Sequence, residues 1–82
     1  MKRLVHSLVG YDRLTEGVVE EYTVPEAVLP AAKMLARVPD DDPDALMCYS
    51  LDALQARDLA GILKIGIDTD RRDYFLEGAG AE

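Results

Sequence analysis

The chain has 82 residues, 49% of them hydrophobic, and a formal net charge of −7. That length gives one domain, near the size at which a single core just holds without staples, and the apolar fraction excludes general disorder. A lone cysteine, Cys48, excludes an internal disulfide and a thiolate metal cluster, and it fits a reducing compartment.

Charge is unevenly placed. Residues 1–37 carry five Lys/Arg and five Asp/Glu and balance, whereas residues 38–82 carry four and eleven and hold the whole excess. A field of that sign repels nucleic acid and anionic membranes and attracts a basic protein. No apolar run approaches the roughly 20 residues of a membrane span. His6 and Ser7 break the N-terminal apolar stretch before it reaches the length of a signal sequence, so the expected location is the cytoplasm.

The first strand is expected over residues 3–11, with Val5, Val9 and Tyr11 on one face and Leu4 and Leu8 on the other. Apolar residues on both faces mark a central strand. His6, alone among them, reads as a hydrogen-bonded structural residue, since nothing nearby in sequence orients it for catalysis. Asp12 to Gly17 is a short polar segment between two strand-like runs, which is a hairpin signal. The second strand runs from Val18 to Thr23, and alternation sends Glu20 and Glu21 to opposite faces.

Thr23 and Glu26 have capping-box spacing, and Val28, Ala31, Ala32 and Leu35 follow as an apolar stripe. They predict a helix over 25–37, bent before Pro30, which removes a ladder bond. Residues 38–45 form a linker rich in Pro and Asp. Asp40, Asp42 and Asp44 match the first positions of a calcium loop. Ala45 stands where that loop needs Gly and Leu51 where it needs Glu, which leaves a solvated acidic loop.

Leu46 to Ser50 reads as a short strand. Asp52 and Gln55 then have capping-box spacing, and Leu54, Leu59, Ile62 and Leu63 give a helix over 52–64 with Gly66 as its C-cap. Residues 72–77 form the last strand, with aromatics suited to a pleated surface, and residues 78–82 read as a frayed tail. The resulting order β-β-α-β-α-β gives an α+β fold in which two helices cover one face of a mostly antiparallel sheet of about four strands.

Catalytic signatures are missing. The sequence has no phosphate-binding glycine loop, and its one His and one Cys lie 42 residues apart with no supporting pattern. No enzyme activity and no cofactor are expected. Cys48 reads either as a small buried hydrophobe or, with Tyr49, as the centre of a contact surface ringed by acids.

Several segments together resemble a known family. Tyr11-Asp12-Arg13-Leu14-Thr15-Glu16 and Glu20-Glu21-Tyr22-Thr23, with a one-residue gap between Gly17 and Glu20, are similar to the hairpin of the cloacin immunity proteins. These are small acidic inhibitors of ribosome-cleaving bacteriocin ribonucleases. Residues Met34 to Pro39, Cys48-Tyr49, Ile67 to Asp70 and Asp73-Tyr74-Phe75 are similar to later segments of that family, in the same order. The chain departs from it in lacking Trp, in its Gly/Ala ending and in its longer helices. A related bacterial family of uncharacterised proteins could share the hairpin and the ending without the target.

The resemblance implies an exposed acidic sheet face that grips a basic ribonuclease domain. It nominates Glu20 and, as a specificity residue, Cys48, with Glu21 and Tyr49 as further partner-binding positions. The alternative is a general protein-interaction module or subunit with no toxin target.

Overall fold

The computed structural model describes residues 3–45 and 47–81. Strand β1 (Arg3–Asp12) pairs antiparallel with β2 (Val18–Val24) and with β4 (Arg72–Ala81), and β4 pairs antiparallel with the short β3 (Tyr49–Leu51). The sheet order is β2-β1-β4-β3, so β1 is central. Two helices, α1 (Leu29–Ala36) and α2 (Ala53–Leu63), complete an α+β fold of order β-β-α-β-α-β.

The hairpin closes on Asp12. Its carboxylate accepts from the N–H groups of Leu14 and Thr15 at 2.8 and 3.1 Å, and its own N–H donates to Gly17 O at 2.9 Å. Glu16 takes a left-handed conformation, φ 61°, to complete the reversal. A register shift between Gly10 and Tyr11 places a β-bulge beside Val19, which adds local twist where the hairpin leaves the sheet.

One core lies between the sheet and the helices. Leu8, Leu76, Tyr74, Leu51 and Val24 meet Ala32 and Ala36 of α1 and Ala56 and Leu59 of α2. Alanines at these positions let the helices approach the strands closely, so the large side chains come mainly from the sheet. Gln55 Nε2 donates to Leu35 O at 2.6 Å and ties α2 to the end of α1.

Four expectations are corrected. First, α1 starts at Leu29 and not at Pro25. Residues 25–28 form a turn in which Pro25 O accepts from Val28 and Leu29, and Pro30 occupies the first helical turn. A proline is tolerated there because that turn's N–H groups have no helical partner, so no bend is needed and the Thr23 capping box does not form. Second, the C-cap of α2 is Lys64, held left-handed at φ 60°; Gly66 lies two residues beyond. Third, β3 begins at Tyr49, with Met47 and Cys48 leading into it, and Leu46 lies outside the described residues. Fourth, residues 78–81 continue β4 and are paired with β1 as far as Arg3, in place of the expected frayed tail. Glu82 lies outside the described residues.

The Asp52 capping box forms as expected: Gln55 N donates to Asp52 at 2.7 Å and Asp52 N donates to Gln55 Oε1 at 2.8 Å. His6 is 3% exposed and its Nε2 donates to Asp44 O at 2.8 Å, a tautomer fixed by an acceptor that has no proton to give. The imidazole is structural, and it latches the acidic loop onto the sheet. Gly78 lies opposite His6. A Cβ there would lie 2.6 Å from Ala45 O and 3.0 Å from the His6 ring, so this close approach requires glycine.

Candidate functional site

The helices cover one side of the sheet. Alternate residues supply the other side: Ser7, Val9 and Tyr11 on β1, Glu21 and Thr23 on β2, Asp73, Phe75 and Glu77 on β4. In register, Ser7 lies between Thr23 and Glu77, and Val9 between Glu21 and Phe75. Val9 is only 2% exposed although no helix reaches it, so the side chains beside it form its cover.

Two of those neighbours make an aromatic pair. The rings of Tyr11 and Phe75 meet edge to face, with centroids 5.3 Å apart and planes at 87°, a geometry that aligns the positive edge of one ring with the negative face of the other. The Tyr11 hydroxyl donates to Glu77. That hydrogen bond, with partial desolvation and the negative charge of Glu77 adding to it, pushes the Tyr11 pKa up to about 12.

Cys48 joins this group. It is exposed and borders a surface depression together with Tyr11, Asp73 and Phe75. Desolvation and the Glu77 carboxylate push its thiol pKa up. At neutral pH it is therefore a protonated thiol, a small polarizable contact surface with little nucleophilic character.

The four nominated residues divide between the two faces. Cys48 and Glu21 lie on the open face, where the acids and aromatics are. Glu20 and Tyr49 lie on the helix side. The Glu20 side chain is 10% exposed and ion-paired with Arg72, and it accepts from the Tyr74 hydroxyl at 2.9 Å. Tyr49 packs against the core and donates its hydroxyl to Asp42, which pushes its pKa up to about 12.

The family model of a domain of unknown function, DUF7683, matches residues 5–77. The chain belongs to this family. Neither a curated protein nor a solved structure gives a significant match. The segment matched by DUF7683 runs from β1 into β4 and includes every residue of the open face from Val5 to Glu77.

Sequence reasoning missed three members of this surface: Phe75, Glu77 and Asp73. Period-2 alternation from Tyr74, which is 2% exposed in the core, sends all three to the other side. What alternation could not supply was the strand order, which sets β4 beside β1 and brings Phe75 to Tyr11. No helix among the described residues is long and apolar enough to cross a membrane.

Proposed function

We propose that the open face of the sheet binds a basic protein, and that the partner is a ribonuclease toxin domain held by an immunity-type inhibitor. The observation that carries the binding reading is the uncovered Tyr11–Phe75 pair with Cys48 beside it, bordered by Glu21, Asp73 and Glu77. An aromatic centre inside a charged rim is the arrangement in which a few side chains supply most of an interface's energy. The net charge of −7 selects a basic partner and gives fast, salt-sensitive association.

The toxin reading is supported by the resemblance to the cloacin immunity proteins. The one-residue gap in that resemblance, between Gly17 and Glu20, coincides with the β-bulge beside Val19, so the hairpin absorbs the difference in spacing without losing its pairing. One observation favours the second reading, an interaction module with no toxin target. Glu20, the carboxylate that the resemblance nominates first, is engaged by Arg72 and Tyr74 and lies on the other side of the sheet.

The test is capture from lysate of the source organism at low salt, followed by an RNA-cleavage assay on what is released as salt rises. A basic protein whose RNA cleavage stops on adding one equivalent of the chain is the result expected. A captured protein without ribonuclease activity would replace the toxin reading with the interaction module.

A further inference from the structure

We propose that the depression at the hairpin end of the open face receives an arginine side chain of the basic partner. The open face being a protein-contacting face is the reading on which this rests. The depression measures about 290 Å³, just below the range of roughly 300–1,000 Å³ typical of pockets for whole small molecules. It is the size for one side chain.

Its walls are of two kinds. Tyr11 and Phe75 supply aromatic surface. In an edge-to-face pair only one ring offers its face to the other, so the faces of the second ring are not used within the pair. Asp12, Glu16 and Asp73 supply carboxylates, and Arg13 is the cation already present. Arg13 is already committed, to Asp73 of the same wall and to the turn before β4: its Nε donates to Asp73 at 2.9 Å, and its two terminal nitrogens donate to Asp70 O and Thr69 O at 3.1 and 2.9 Å.

Among the described residues no ion pair reaches Glu16, and Asp12 feels the Arg72 charge without forming an ion pair with it. Asp12 is fixed in place by the Leu14 and Thr15 N–H groups, and the Glu16 backbone is set by its N–H donating to Asp12 O at 2.7 Å, with the side chain exposed. A flat cation satisfies both kinds of wall together. A guanidinium stacks on an aromatic face and donates along its edge to carboxylates. An ammonium is more strongly hydrated and has no planar edge to present, so lysine fits less well.

The test is titration of the intact chain with the blocked tripeptide acetyl-Gly-Arg-Gly-amide, and separately with its lysine counterpart, followed by amide NMR. The arginine peptide should give saturable shifts centred on Tyr11, Phe75 and Cys48, and should bind roughly two- to tenfold more tightly than the lysine peptide. Phe75→Leu removes one of the two rings and Glu16→Gln removes one carboxylate at an exposed site. Each should weaken the arginine peptide by a similar factor while the remaining spectrum shows a folded chain.

Equal affinity for the two peptides would overturn the inference. So would shifts spread over the Asp40–Asp44 loop, or affinities unchanged in both variants. None of these results touches partner capture, which reads the whole face. Capture lost in Glu21→Lys together with indifferent peptides would retain the face and remove the arginine site.

Discussion

The Tyr74 hydroxyl reaches Glu20 at 2.9 Å by passing over Gly10, the residue opposite both of them in the sheet. A Cβ on Gly10 would lie 2.7 Å from Glu20 Cγ and 2.8 Å from the Tyr74 ring. Three strands are thus cross-linked on the helix side, and the missing side chain in the middle makes room for the bridge. Asp68 N donates to the same hydroxyl at 3.0 Å, which fixes the turn before β4. Gly10→Ala is expected to cost about 1–3 kcal/mol by overpacking. Tyr74→Phe should cost about the same by removing one of the two partners of a largely buried carboxylate, which keeps Arg72, and by leaving Asp68 N without its acceptor. Urea unfolding measures both; a midpoint unchanged in either variant would contradict the bridge.

The αL C-caps give a prediction of opposite sign. Lys64 holds φ 60° at the end of α2, where Ile65 N donates to Ala60 O at 3.0 Å in a helix-terminating turn. A side chain in that conformation costs about 1–2 kcal/mol, and glycine carries no such cost. Lys64→Gly is expected to stabilise the fold by about 1 kcal/mol, or roughly 4–8 °C in Tm for a domain of this size. A lower Tm would mean that the Lys64 side chain contributes something its exposed position does not show.

Much of the fold was legible in the sequence because its signals are local. Asp12 and Gly17 mark the hairpin, Asp52 and Gln55 cap α2, and both faces of β1 carry apolar residues. The start of α1 was misread because Thr23 and Glu26 have the right spacing, while Pro30, five residues after Pro25, suits a first turn better than an interior. The candidate site was half legible. Alternation separated Glu20 from Glu21, but it could not say which of them faces the helices. That choice is made by Arg72 and Tyr74, more than 50 residues away in sequence.

Alkaline titration follows from the tyrosines. Tyr11 and Tyr49 have pKa values raised to about 12 by carboxylate acceptors, and burial raises that of Tyr74. A raised folded-state pKa means the native chain holds its protons longer than the unfolded one. Stability from these groups is therefore complete below about pH 10 and is lost as pH rises toward 12. Phenolate absorbance of the native protein should lag that of the urea-unfolded chain across this window. Coincident curves would contradict the hydrogen bonds to Glu77 and Asp42.

Cys48 offers a chemical probe of the open face. It is exposed, yet its thiol pKa is raised by desolvation and by Glu77, so the reactive thiolate is scarce. Alkylation by iodoacetamide near pH 8 should be slower than for free cysteine, and Glu77→Gln should accelerate it. Equal rates in the two proteins would remove Glu77 from the surroundings of the sulfur.

The location of partner binding is tested most directly by two charge reversals of equal size. Glu21 is exposed on the open face and Asp58 is exposed on α2, so Glu21→Lys and Asp58→Lys change the net charge identically and differ only in place. Capture of the basic partner at low salt should fall at least about tenfold in Glu21→Lys, the loss of roughly 1.4 kcal/mol expected for reversing a charge at an interface. It should change little in Asp58→Lys. Equal losses in the two variants, or a larger loss in Asp58→Lys, would contradict binding through the open face.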